Sequence, residues 1–585
     1  MLFHQIKNNA FIKRLKLLQR QLFIISLFTF SYAHADWKGD VGYTKLSNEL
    51  GLLLPDGSGI PVCHVEAAVT VNEESTWMPD PDNSAFSEKT LTDMTGAPDG
   101  AYSSHATSVG RLLYGTSTSM APGVTDILLY YAGHWMQNGY LLYGYSYQPF
   151  TSDCRLANHS WVGGYTDPAE GTSELLRRID WAIDRDEYIQ TVGINNNTSS
   201  TRPLLAAAFN VIPVGRTDGM HSRLTSAVDE IYTGGRNLPD IVAPQTTTSG
   251  ATPMIGSAAL LLMDKGHNDT ALSTDPVMQY KTTRAGKVVY NAERVETIRA
   301  ALMAGADRFT VNSSSADIKD YRLKEENRTA NSLDARYGAG QVNIYNSYHI
   351  IAAGEQNSIE DGGVQVSGFT GFDYDPSFGG LNSSNSTATY VIQPDSDHNL
   401  LTAALVWHIK IDGGTQYNFN DTATLYNLDM ELYDQTTDET IAVSASSGTN
   451  SEHIWVSLAP GHTYILKVKR ATEQAAFVWD YGLAWRLEKD TDLDMIPDEQ
   501  DNCPKTANRS QLDSDEDGYG NMCDCDLDNN DRVGAGDYWR WRLFSTINPS
   551  SAMWNADVDF NGNGVADSGD YAIFMSRYLQ TAPYE

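Results

Sequence analysis

Long apolar runs are missing from this chain of 585 residues. The stretch Leu22 to Phe30 is too short to cross a bilayer, which takes about 20 residues, and no later stretch reaches that length. A membrane span is therefore excluded from the expectation. The early run instead follows Lys13, Arg14, Lys16 and Arg20 and precedes Ala33-His34-Ala35, which reads as a signal peptide over residues 1–35 with an A-x-A cleavage site. A soluble, secreted protein (extracellular or periplasmic) is expected. Cysteine is scarce: five in an exported chain rule out a dense disulfide scaffold and leave one over, with Cys503 and Cys523 the expected pair. Basic residues are few, 41 Lys and Arg against 74 Asp and Glu, and the net charge of −33 argues against nucleic acid as a partner. Residues 488–585 are poor in aliphatic side chains and cannot build a large core unaided.

What is present falls into distinct textures, and the length exceeds what one core supports. Within a domain expected over residues 36–355, the stretch from about residue 57 to 355 alternates strand-like and helix-like segments, the pattern of an α/β domain with a parallel sheet. The strands are expected at Gly59–Val65, Asp126–Tyr131, Arg155–His159, Tyr188–Gly193 and Val211–Val214, with a further strand closed by Pro244. Apolar residues at helical spacing predict helices over Ser173–Arg185, Met254–Met263 and Ala292–Ala304. Residues 360–487 read as an all-β sandwich, with strands including Leu401–Ile411, Leu428–Tyr433, His453–Leu458 and Tyr464–Val468. The acids of residues 488–585 are regularly spaced, which points to cation binding.

Three short segments carry nucleophilic chemistry: Val62-Cys63-His64-Val65-Glu66, Ser104-His105-Ala106-Thr107-Ser108-Val109-Gly110 and Thr247-Thr248-Ser249-Gly250-Ala251-Thr252-Pro253. A serine hydroxyl attacks at neutral pH only if an imidazole takes its proton, and that imidazole needs an acid to fix its tautomer and stabilise its charge. Glu66, His105 and Ser249 supply the three in order. Small residues after His105 suit a buried helix that starts there, and Ser249 precedes an apolar helix whose N-terminus favours a developing oxyanion.

In these segments the chain resembles the subtilisin-like serine proteases. Met120-Ala121-Pro122-Gly123, Pro239-Asp240-Ile241-Val242-Ala243-Pro244 and Met254-Ile255-Gly256-Ser257 extend the resemblance in the right order. It implies a parallel sheet between helices and endopeptidase activity on proteins or peptides. It also implies that Asn195, with Asn196 and Asn197 beside it, holds the oxyanion. Ser160, Trp161 and Gly163 would lie on an edge strand that pairs with substrate backbone. Three departures stand out. The acid is Glu rather than Asp, which requires the strand to retreat by about 1–1.5 Å, roughly one C–C bond. Thr247 replaces a glycine two residues before the serine, and the N-terminal prodomain common in the family is expected to be missing. Asp80, Asp82 and Asp99 are alternative acids, and His64 is read as a strand residue turned to the face opposite Glu66. The competing expectation is a fold-retaining, inactive protein that binds or docks extracellularly.

Calcium takes six to eight oxygen ligands, which a twelve-residue loop supplies from carboxylates and one carbonyl. That spacing recurs four times: Asp490, Asp492, Asp494, Asp498 and Asp501; Asp513, Asp515, Asp517, Asn521 and Asp524; Asp526, Asp528, Asn530 and Asp537; Asp559, Asn561, Asn563, Asp567 and Asp570. The first two loops, over residues 488–525, resemble thrombospondin type 3 calcium repeats. The last two, over residues 526–585, resemble a dockerin in which each loop leads into a helix, at Tyr538–Phe544 and Tyr571–Leu579. That likeness implies a cohesin-like partner, although Ala535-Gly536 and Ser568-Gly569 depart from the usual Ser/Thr pair at the partner-selecting positions.

Overall fold

A computed structural model describes residues 36–581 apart from 72, 99, 165–169, 199–201, 315, 319–323, 381–385, 516 and 531. Segment 1–35, where the sequence predicts a signal peptide, and Asp99 lie outside the described residues. Seven parallel strands form the central sheet: β1 (Val62–Glu66), β2 (Thr90–Asp93), β3 (Asp126–Tyr131), β4 (Leu156–His159), β5 (Ile189–Gly193), β6 (Ile212–Arg216) and β7 (Ile241–Ala243), in the order β2-β3-β1-β4-β5-β6-β7. Strands β1, β4, β5 and β7 are buried along their whole length, as expected of a parallel sheet covered by helices on both faces. The edge strand β2, Thr-Leu-Thr-Asp, escapes the sequence reading because it is polar and largely exposed, with no apolar run to mark it.

Helices α1 (Ser104–Leu113), α2 (Glu170–Asp186), α3 (Thr248–Asn268), α4 (Val295–Ala304) and α5 (Ile344–Ala352) accompany the sheet. The predicted helix at Met254 starts six residues earlier, so that Ser249 falls in its first turn. Gly256 of α3 lets α1 approach closely: a β-carbon there would lie 2.8 Å from Leu113 Cδ1 at the end of α1. A disulfide that the sequence did not single out joins Cys63 on β1 to Cys154 just before β4, while Cys503 pairs with Cys523 and Cys525 is free and buried.

Two antiparallel four-stranded sheets follow. One runs β8 (Thr370–Phe378), β15 (Trp479–Glu488), β10 (Leu400–Val406), β13 (Ser451–Ser457); the other runs β9 (Thr387–Ile392), β14 (Tyr464–Arg470), β11 (Leu428–Asp434), β12 (Glu439–Ser444). Tyr390, Trp407, Leu432, Leu466 and Trp485 fill the space between them. The strand expected over Leu401–Ile411 ends at Val406, because Trp407 turns into the core and its backbone N–H bonds Asn450.

This sandwich is docked on α4. Gly482 of β15 permits the contact, since a β-carbon there would lie 2.7 Å from the Glu296 carbonyl carbon. Arg486 Nε donates to Ala304 O at 2.8 Å, Asn450 Nδ2 donates to Phe209 O at 2.9 Å, and buried His408 lies 2.8 Å from Glu296. The obstacle at Gly482 is helix backbone, which cannot step aside. Gly482→Ala should therefore cost about 1–3 kcal/mol of stability by overpacking. Thermal unfolding checks this against Gly448→Ala, a site with open space around it that should melt like the parent.

Candidate active site

The functional side chains gather at the carboxyl ends of β1, β4, β5 and β7, where open α/β sheets form their crevices. Glu66 closes β1 and is 2% exposed. Its Oε2 lies 2.9 Å from His105 Nδ1. His105 stands in the first turn of α1, whose N-cap Ser103 accepts from Ala106 N at 3.1 Å. The His105 side chain is 41% exposed, so the pair joins a buried carboxylate to a ring partly open to solvent.

The expected orientation of His64 is corrected. Residues two apart in a strand share a face, so His64 lies beside Glu66, with Nε2 3.0 Å from Oε1 and Nδ1 3.0 Å from the Tyr114 hydroxyl. The sequence held this signal in the i, i+2 spacing itself. Burial pushes the Glu66 carboxyl up, but the hydrogen bonds from His105 and His64 outweigh it and hold the group below its ordinary range. The Glu66 hydrogen bond raises His105 above 6.5 against the opposing effect of burial. Asp80 accepts from Asp82 N, and the acid that reaches His105 is Glu66.

Ser249 is fixed by two reciprocal bonds. Pro253 has no N–H for the carbonyl four residues back, which is that of Ser249. Ser160 Oγ donates to this freed carbonyl at 3.1 Å, and Ser249 Oγ donates to Ser160 O at 3.1 Å. Among the described residues, no hydrogen bond joins Ser249 Oγ to His105. Thr247, the departure from glycine, has an extended backbone at φ −142° and caps α3 by accepting from Gly250 N at 3.0 Å. Nothing in that conformation demands glycine.

The asparagines after β5 divide their tasks. Asn195 Oδ1 accepts from Asn197 N at 3.2 Å, whereas Asn196 Oδ1 reaches Thr248 N at 2.8 Å, one residue before the serine. Asn196 is thereby tied to the first turn of α3, beside Ser249. Ser160 and Trp161 follow β4, an interior strand of the sheet, and lie outside any strand themselves, with Trp161 edge-on to His159 at 5.7 Å. Gly163 is committed elsewhere, since its N–H and carbonyl both pair with Leu204. His159 is buried, which pushes its pKa down to about 4, and its Nε2 lies 2.7 Å from Gln190.

In the acidic region, carboxylates of Asp490, Asp492 and Asp494, of Asp513, Asp515 and Asp517, and of Asp526, Asp528 and Asp537 converge to within 4.8 Å. Burial first and neighbouring carboxylates next push Asp492 up to about 6 and Asp494 up to about 7. The donor set is all oxygen at the spacing hard cations favour. Asp498 is turned to Thr491, and Asp501 to Cys503 N and Gln511. Asn521 receives Ser514 N, and Asp524 receives Asp526 N. The last two loops share one design: Asp537 accepts from Gly534 N and Asp528 N, and Asp570 from Asp567 N and Asn561 N. Asn530 contacts Asp528, while Asp559 accepts from Asn563 N and Gly564 N. Their helices, α6 (Ala535–Phe544) and α7 (Ser568–Arg577), begin three residues before the predicted starts and enclose a small core of Val533, Trp541, Val558, Phe560 and Phe574.

Residues 488–511 match the thrombospondin type 3 repeat family model. Among curated proteins, none matches the chain. Among solved structures, the chain is similar to the prenylagaramide maturation protease PagA, at 18% identity over 53% of this chain and 98% of that one, TM-score 0.33. It is similar to the epidermin leader peptide processing serine protease EpiP from Staphylococcus aureus, at 12% identity over 54% and 80%, TM-score 0.33. A cold adapted subtilisin-like serine proteinase is matched at 18% identity over 36% and 77%, TM-score 0.24.

The opposite pKa shifts of Glu66 and His105 set a pH window. Lowered Glu66 contributes stability above its ordinary 4.5, lost as pH falls through the depressed folded value; raised His105 contributes below 6.5, lost as pH rises through the elevated one. Denaturant titrations of parent and Glu66→Gln should therefore differ most where Glu66 is ionised and His105 still protonated. A difference independent of pH would show that the pair is not coupled to folding.

Proposed function

We propose that the chain is a secreted serine endopeptidase working through a Ser-His-Glu triad, with C-terminal modules ordered by calcium. The observation that carries this reading is the Glu66–His105 hydrogen bond of 2.9 Å, with Ser249 in the first turn of α3. Glu66 holds the His105 tautomer with Nδ1–H donated inward, leaving Nε2 free to take the Ser249 proton and later give it to the leaving amine. The backbone N–H of Ser249 and the side-chain amide of Asn196 are the donors for the tetrahedral oxyanion, the loss of one such donor typically costing about 10²–10³ in kcat. Ser160 and Trp161 offer main chain to an extended peptide. A substrate N–H that takes the Ser160 carbonyl displaces the Ser249 hydroxyl, which then turns to His105.

A second reading has its own observation: Ser249 Oγ rests on Ser160 O rather than on His105. On that reading the chain is an inactive, calcium-dependent binding protein, with a cohesin-like partner one candidate for the terminal module. A fluorophosphonate probe separates the two. Labelling that disappears in Ser249→Ala supports the enzyme, and no labelling of folded protein removes it. In an active enzyme Glu66→Gln should lower kcat by up to about 10⁴, the scale of losing the orienting acid of such a triad. Near-parental turnover would exclude Glu66 from that role.

The acidic loops are read as calcium sites, with Asp490, Asp492 and Asp494 and their counterparts as ligands whose mutual repulsion a bound cation offsets. EDTA should make residues 488–585 the first part of the chain to unfold, seen as new proteolytic cleavage there while residues 38–355 stay intact. A digest unchanged by EDTA would sink the calcium reading.

A further inference from the structure

The acid of the site is one methylene longer than aspartate, and a longer side chain has one more torsion to lose. A buried, ionised carboxylate also needs a donor on each oxygen, because burying an unpaired charge costs several kcal/mol. His105 serves only Oε2 of Glu66. The donor on Oε1 is His64 Nε2 at 3.0 Å, on a ring that is 1% exposed. In the neutral tautomer with Nε2–H donating, His64 Nδ1 is an acceptor, and the Tyr114 O–H lies 3.0 Å away to donate to it. Burial, and then the Glu66 charge, push the Tyr114 hydroxyl well above 10, so it remains a phenol and a donor.

The sequence around α1 is built for this relay. The helix carries His105 in its first turn and is capped at its far end by Tyr114, so one rigid element reaches both His105's and His64's side of Glu66. Gly110, one turn before Tyr114, leaves room for that ring: a β-carbon at 110 would lie 2.5 Å from its hydroxyl. On β1 itself, Cys63 is tied to Cys154 beside β4. Among the described residues, His159 on β4 also faces this cluster, and burial pushes its pKa down to about 4.

We propose that His64, held in its Nε2–H form by Tyr114, is a positioning residue that fixes the Glu66 carboxylate on His105 and so makes a glutamate serviceable where an aspartate would be shorter. The inference rests on reading Glu66 as the orienting acid, and its test is independent of turnover. Without the His64 donor, Oε1 is left buried and unpaired. The carboxylate then turns away or takes a proton, and the bond that elevates the His105 pKa weakens.

The test is an NMR titration of His105 in full-length, calcium-loaded Ser249→Ala protein, alone and combined with His64→Leu, His64→Gln or Tyr114→Phe. Ser249→Ala alone should show His105 above 6.5, and His64→Leu should bring it down toward that value. His64→Gln, whose amide N–H reaches about as far as Nε2, should keep it raised. Tyr114→Phe should give an intermediate value and serves if His64→Leu does not fold. In protein with Ser249 intact, His64→Leu should lower kcat on the order of tenfold to a hundredfold with KM unchanged, the scale for losing a group that orients another. A His105 pKa unmoved by His64→Leu or Tyr114→Phe overturns the proposal, as does an equal fall in His64→Leu and His64→Gln, which would make the ring mere packing. If the parent protein takes no fluorophosphonate, the endopeptidase reading fails while the titration still decides the role of His64.

Discussion

A single ionised carboxylate at the end of a fully buried strand is the constraint around which the crevice is arranged. Leaving the Glu66 charge unpaired in the interior would cost several kcal/mol, so a donor must come to each oxygen, and those donors must come from different elements. One is His64 on the same strand, two residues back and on the same face. The other is His105, carried in on α1. This demand fixes where α1 starts, why Tyr114 follows it and why glycine occupies position 110 between them.

The second half of the site is set by a missing donor. Pro253 leaves the Ser249 carbonyl without its helical partner, and an unmade buried hydrogen bond costs more than a made one returns. Ser160 satisfies that carbonyl and takes the Ser249 hydroxyl in exchange, which locks the start of α3 to the segment after β4. Gly256 then brings α3 against the end of α1, so the two helices bearing Ser249 and His105 share one packing contact. The docked sandwich adds rigidity from the other side, through α4 and the buried polar bridges from His408, Asn450 and Arg486.

The C-terminal region follows the opposite rule. It has little apolar surface beyond the small core around Trp541 and Phe574, and its carboxylates are clustered where solvent cannot fully screen them. The loops are shaped by backbone N–H groups donating into Asp490, Asp537, Asp559 and Asp570, which orient the acids inward. Mutual repulsion in that geometry makes an ordered state without a counter-cation expensive.

The sequence by itself determined the α/β and sandwich textures, the helices at Ser173, Ala292 and His105, and the twelve-residue rhythm of the tail. Periodicity and local spacing are properties a linear chain carries. Even the placement of His64 follows from its two-residue spacing to Glu66, because strand alternation puts both side chains on one face. Tertiary structure alone decided what depends on contacts between distant segments: the Cys63–Cys154 bridge, the bond from Thr248 N to Asn196, the backbone pairing of Gly163 with Leu204, and the polar edge strand β2. The reason is physical. Hydrogen bonds of a few ångströms between residues tens to hundreds of positions apart depend on how helices and strands pack, and no local pattern of residue types encodes that distance.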